Sequence, residues 1–138
     1  MKKILIDTGV FIALFNTKDR YHQKALDFIK KKGYIHFTTE AVITEVLYIF
    51  HERLDIKTDF LDLISKSSLN IFTFDNQEYS LIKELITTYA DLPMDYADAT
   101  VVRACEKLQT AYVASTDGDF GIYRLKGKSK FINTIELF

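Results

Sequence analysis

A single cysteine in 138 residues excludes an internal disulfide. That residue, Cys105, stands in an apolar helical run, where a small buried thiol is expected and a reducing cytoplasm fits. One proline, Pro93, and five glycines leave no Pro/Gly/Ser-rich linker, and no internal repeat or low-complexity run is present. A chain of this length then reads as one domain, 1–138, large enough for a real core. An excess of one charge is also missing. Lys and Arg number 18 against 19 Asp and Glu, a formal net charge of -1. A nucleic-acid partner must therefore be met by a local basic patch. Long apolar runs are missing too. Lys2-Lys3 followed by Ile4 to Phe15 resembles the opening of a signal peptide, but Asp7 interrupts it and no small-residue cleavage site follows. No stretch is long enough to span a bilayer. The expectation is a cytoplasmic protein without membrane contact.

What is present is globular: 48% hydrophobic and 27% charged residues. Short apolar runs predict strands at Lys3 to Ile6, Tyr34 to Phe37, Asn70 to Phe74, Ala111 to Ser115 and Lys130 to Asn133. Helical periodicity predicts helices at Thr8 to Asn16, Tyr21 to Lys32, Thr39 to Leu54, Thr58 to Lys66, Gln77 to Tyr89 and Asp95 to Leu108. Strands alternating with helices imply an α/β fold, with parallel strands and crossover helices in layers. Functional groups in such sheets gather at the carboxyl ends of the strands.

Four acids stand out against this background, each with an ordinary alternative. Asp7 ends a strand, and an N-cap explains it equally well. Asp117, in "STDGDF", follows another apolar run; Asp-Gly is also a turn pair, although Asp119 makes the stretch more acidic than a turn requires. Glu45 falls among Ala41, Val42, Tyr48 and Ile49 at helical spacing, where an unpaired carboxylate is costly unless it reaches water past Tyr48. Asp98 faces Val101, Val102 and Cys105, but with Asp95 as N-cap it would lie in a first turn and meet the helix dipole. One hypothesis covers all four: they converge on a hard divalent cation, Mg²⁺ or Mn²⁺, which takes oxygen ligands and offsets carboxylate repulsion. A zinc site is not supported, since Asp55 stands where the His51-Glu52 pair would need a second histidine.

Taken in order, "ILIDTGVFIALFN", "TEVLY", "DYADATVVRA" and "STDGDF" resemble a PIN domain, and within that family the small VapC-like toxin ribonucleases of toxin–antitoxin pairs. The resemblance runs from the first strand to the last. It implies a three-layer α/β/α sandwich with a central parallel sheet. It also implies that Asp7 (with Thr8 beside it), Glu45, Asp98 and Asp117 are the catalytic acids, with Asp119 as a variable fifth metal ligand. Asp95 is extra to the core pattern and is read as N-cap or as a support of the site.

The implied chemistry is metal-assisted hydrolysis of RNA phosphodiesters, leaving a 5'-phosphate and a 3'-hydroxyl. Asp7, Asp98 and Asp117 are the expected metal ligands, and Glu45 binds metal or orients water. Thr8 and Ser115 add hydroxyls. Arg124, Lys126, Lys128 and Lys130 are the candidates for a phosphate-binding rim, with a plain solvated edge as the alternative. Lys30-Lys31-Lys32 are read as complementing a helix C-terminus. Tyr48 and Phe120 could stack on bases, but a core role is favoured. The resemblance further implies a cognate antitoxin and a homodimer. A haloacid-dehalogenase-type enzyme would need a second Asp where Gly9 stands, a phosphoreceiver needs an acid pair after the first strand, and a Rossmann domain needs its glycine fingerprint. A non-catalytic RNA-binding or scaffolding PIN-like module, or a housekeeping PIN nuclease outside a toxin–antitoxin operon, are the remaining readings.

Overall fold

The strand that ends in Asp7 is the middle of the sheet. In the computed structural model, which describes residues 1–137, β1 (Lys2–Ile6) is flanked by β2 (Tyr34–Thr39) and β4 (Tyr112–Ala114), with β3 (Asn70–Phe72) beyond β2 and β7 (Ile132–Asn133) beyond β4. All four pairings are parallel. Ile4, Leu5 and Ile6 are fully buried, as an apolar run covered on both faces requires. From β1 the chain builds outward through β2 to β3, then returns to β1's other side for β4 and β7. The order reverses between β1 and β4, where open α/β sheets leave a crevice at the strands' carboxyl ends.

The crossovers are α1 (Thr8–Phe15), α2 (His22–Lys30), α3 (Glu40–Ile49), α4 (Leu54–Lys66), α5 (Glu78–Thr88) and α6 (Tyr96–Leu108). Helix α6 packs on β1 and β2, while α1 packs with α2 and α3, giving the three-layer α/β/α sandwich. Helix α6 is the most buried, from Ala97 through Val102 and again at Ala104 and Cys105. Burial pushes the Cys105 thiol pKa up, so the small inert side chain expected there is what occurs. No helix among the described residues is long and apolar enough to cross a membrane.

Three expected elements are redrawn. The helix expected over Thr39 to Leu54 is shorter: Thr39 caps α3, its hydroxyl accepting from the Val42 N–H, and the chain turns after Ile49. Helix α4 then starts at Leu54 instead of Thr58, with Asp55 in its first turn bonded to Arg53. The strand expected over Lys130 to Asn133 is divided. Ser129–Lys130 (β6) pairs antiparallel with Arg124–Leu125 (β5), and only β7 joins the main sheet. A two-residue hairpin partner is a tertiary choice that side-chain alternation does not encode.

Candidate metal centre

The parallel register brings the first two site residues together. Leu5 is aligned with Val113 and Ile6 with Ala114, so Asp7 and Ser115 follow side by side. The Asp7 N–H donates to the Ala114 carbonyl at 2.9 Å, and Ser115 Oγ donates to Asp7 Oδ2 at 3.0 Å. Asp7 occupies the N-cap position of α1 but makes no side-chain cap bond. Ser115 Oγ also accepts from the Asp117 N–H at 2.9 Å, tying the next acid to the same point. Asp117 does cap a short 3-10 turn, Gly118–Gly121, its Oδ1 accepting from the Asp119 N–H at 2.9 Å. The turn reading of Asp117 therefore holds, and the same turn ties it to Ser115 beside Asp7.

Asp98 arrives from the other side of the crevice. Asp95 is the N-cap of α6, accepting from the Asp98 N–H at 2.8 Å. That satisfies an orphan donor of the helix and leaves the Asp98 side chain free to face away from it. Its Oδ2 accepts from the Tyr123 hydroxyl at 2.8 Å. One oxygen each from Asp7, Asp98 and Asp117 lie within 4.8 Å of one another.

Three carboxylates at that spacing repel, and two are deeply buried: Asp7 is 4% and Asp98 8% exposed. No ion pair among the described residues reaches any of the three. Burial is the main reason the Asp7 pKa is pushed up to about 6; the charges of Asp117 and Glu45 add to it, while the Thr8 N–H and the Ser115 hydroxyl work against it. Asp98 is pushed up to about 8, by burial first and then by Asp7, with the Tyr123 hydroxyl opposing and Asp95 and Asp117 adding. Beside Asp7, the buried Thr8 Oγ1 has no hydrogen-bond partner among the described residues. An all-oxygen donor set with no protein cation to balance it fits a hard divalent ion.

The other predicted residues fall in different settings. Glu45 is half-buried on α3, close enough to raise the Asp7 pKa but outside the group of three. It lines a shallow cleft of ≈ 460 Å³ with Ala41, Tyr48 and Tyr96. Asp119 contributes its backbone N–H to Asp117, and its carboxylate is likewise outside the group. Ser115 is fully buried, and its hydroxyl donates to Asp7 and accepts from the Asp117 N–H. Arg124 Nη1 donates to the Gly121, Ile122 and Tyr123 carbonyls, holding the 3-10 turn. The Lys126 N–H donates to Glu106, eight residues beyond Asp98 on α6 and so about 12 Å along the helix at ~1.5 Å per residue. Lys128 is exposed on the same hairpin. This basic stretch is therefore offset from the acids along α6. Phe120 is core, as expected, whereas Tyr48 is 74% exposed: the apolar spacing of α3 buries Val42 and Val46 but turns Tyr48 outward.

Tyr123 was not singled out in the sequence. The signal is a tyrosine in a position that turns out fully buried, because a buried phenol needs a partner for its hydroxyl. That partner lies 25 residues away in the chain.

The loop carrying Asp117 also depends on Gly9. A Cβ at Gly9 would stand 1.9 Å from Thr116 Oγ1 and 3.3 Å from Thr116 Cβ. Gly9→Ala adds helix propensity to α1 but forces the Thr116 side chain, between Ser115 and Asp117, to shift. Mn²⁺ affinity of Gly9→Ala should fall about tenfold, the scale on which disturbing the supports of a ligating carboxylate acts. Adding Thr116→Ser, whose hydroxyl can swing aside, should recover part of the loss. Wild-type Mn²⁺ affinity in Gly9→Ala would show that Thr116 yields without moving Asp117.

The family model for the PIN domain matches residues 4–126. No curated protein sequence matches the chain. Among solved structures, VapC20 of Mycobacterium tuberculosis, described as a sarcin-ricin loop cleaving toxin, superposes with a TM-score of 0.78 at 18% identity, covering 86% of this chain and 93% of that one. VapBC2 of Rickettsia felis, solved bound to a DNA fragment from its promoter, gives 0.66 at 14% identity over 95% and 98%. FitAcB of Neisseria gonorrhoeae gives 0.56 at 15% identity over 83% and 88%. At these identities the likeness is one of fold.

Proposed function

Since this chain belongs to the PIN domain family, we propose that it is a metal-dependent endoribonuclease, the toxin of a cytoplasmic toxin–antitoxin pair. The observation that carries the reading is the convergence of Asp7, Asp98 and Asp117 at the crevice between β1 and β4. These three would hold Mg²⁺ or Mn²⁺. Such an ion supplies charge neutralisation for the phosphodiester and makes water a better acid. Ser115 and Tyr123 keep the Asp7 and Asp98 carboxylates oriented through their hydroxyls. Glu45, half-buried and beside Asp7, accepts a proton from the attacking water or adds a further oxygen ligand. Asp119 steadies Asp117 through its N–H and stands by as an outer ligand. Lys126 and Lys128 contact phosphates away from the cleaved bond, with Arg124 shaping the loop between.

The partners are RNA, a cognate antitoxin and a second copy of the chain. Support for protein contacts comes from exposed apolar surface beside Glu45, where Tyr48 and Tyr96 line one cleft. Incubating the purified chain with end-labelled RNA tests the activity. Cleavage should require Mg²⁺ or Mn²⁺, stop in chelator, and leave 5'-phosphate and 3'-hydroxyl ends. Metal-independent cleavage, or cyclic-phosphate ends, would refute it. The toxin role predicts growth arrest on expression, relieved by the product of an adjacent small DNA-binding reading frame.

Replacing Glu45 separates its two roles. Glu45→Gln should slow single-turnover RNA cleavage by about 10²–10⁴ if it takes the proton. Mn²⁺ affinity should then stay near wild type. A parallel loss of Mn²⁺ affinity would make Glu45 a ligand instead.

A further inference from the structure

Each acid of the cluster has a carboxylate oxygen engaged by a donor. Ser115 Oγ holds Asp7 Oδ2, the Asp119 N–H holds Asp117 Oδ1, and the Tyr123 hydroxyl holds Asp98 Oδ2. The first two donors belong to the loop that carries Asp117 itself. Among the described residues, Tyr123 is the side chain that donates to the acid that comes from α6. We propose that Tyr123 is a positioning residue of this centre: its hydroxyl fixes the Asp98 carboxylate in the one orientation that can share a divalent cation with Asp7 and Asp117. The proposal rests on the metal-dependent reading above.

Tyr123 is itself held on several sides. It is fully buried, with its ring edge-on to Tyr89 at 5.0 Å and to Phe120 at 5.1 Å. The Tyr89 hydroxyl accepts from the Arg124 N–H at 3.0 Å, and Arg124 Nη1 locks the carbonyls of Gly121, Ile122 and Tyr123. A phenylalanine would provide the same ring packing without burying a phenol. The hydroxyl is therefore accounted for by Asp98, not by the core. Asp98 stands on the first turn of α6, and outer partners that orient ligating carboxylates are worth about 10–100-fold in metal affinity.

The test is Mn²⁺ binding by the full chain, measured by titration calorimetry. The wild type should bind Mn²⁺, and Tyr123→Phe should bind it about 10–100-fold more weakly. RNA cleavage by Tyr123→Phe should recover toward the wild-type rate as Mn²⁺ is raised. A purely structural hydroxyl would change the melting temperature in chelator and leave Mn²⁺ affinity within about twofold, which overturns the proposal. Should Tyr123→Phe not fold, 3-fluorotyrosine placed at position 123 keeps the ring and alters only the strength of the donor. Its Mn²⁺ affinity must then depart from wild type, while 3-fluorotyrosine at Tyr89 must not; equal affinities in both again overturn it. A wild type that binds no Mn²⁺ defeats the metal reading and this inference together, and is recognised before any variant is made.

Discussion

Asp98→Asn is expected to abolish RNA cleavage while making the metal-free protein as stable as wild type or more so. The side chain keeps its size and its reach to the Tyr123 hydroxyl, and loses only the charge. When ionised, Asp98 puts a charge within 4.8 Å of Asp7 and Asp117, is 8% exposed, and has no ion-pair partner among the described residues. Removing it relieves both repulsion and desolvation, a gain on the order of 0.5–2 kcal/mol in chelator. The same change removes one of the anionic groups that would hold the divalent ion, so cleavage should fall about 10³-fold, the scale on which deleting one preorganised polar group acts. If Asp98 only complemented the dipole of α6, its loss would cost ~0.3–1 kcal/mol and leave activity intact. Melting in chelator and single-turnover cleavage, measured on the same preparation, separate the two. Full activity in Asp98→Asn would remove Asp98 from the metal site.

The second expected result is an inverted pH dependence of stability. Asp7 and Asp98 both have pKa values raised from the ordinary 3.8, to about 6 and about 8. Below about pH 4 both are protonated in the folded and the unfolded chain and contribute no slope. Between about pH 4 and pH 8 the unfolded chain has already released protons that the folded chain retains. The folded state binds more protons, so its stability falls as pH rises through this window, by a few kcal/mol in all as an order of magnitude. Metal-free protein should therefore melt at progressively lower temperature from mildly acid to mildly alkaline pH. His36, whose pKa is lowered by burial, acts in the opposite sense at the acid end, and Asp98→Asn isolates the carboxylate contribution by flattening the curve above pH 6. Mn²⁺ binds the ionised carboxylates, so the rise in melting temperature that it produces should be larger at pH 8 than at pH 5. A metal-free melting temperature that climbs from pH 5 to pH 8 would show that the carboxylates are ionised without strain.

Asp7 and Glu45 illustrate how far the chain's local pattern reaches. A buried strand running into an acid, and an acid at helical spacing among apolar neighbours, are departures from the pattern that hydrophobic burial alone would select. They are visible because periodicity assigns each residue to a face before any neighbour is known. Asp95 and Asp98 lie one turn apart, and the sequence offers the cap to Asp95; α6 starts there and Asp95 does cap it. What the same reasoning does not reach is the partner of Asp98, the Tyr123 hydroxyl.

The sequence by itself determined the alternation of strands and helices, the burial of β1 on both faces, and the acids that do not belong where burial would place them. These follow from side-chain period and from the cost of unpaired charge, which are properties of a few consecutive residues. Only the tertiary structure decided which distant groups meet. Ser115 reaches Asp7 across 108 residues because β1 and β4 are in register; Tyr123 reaches Asp98 because β5, which directly follows it, packs against α6; Lys126 goes to Glu106, away from the acids, because β5 and β6 form a hairpin of their own. Register, crossing and packing are set by the whole core at once, and no local window of the chain contains them.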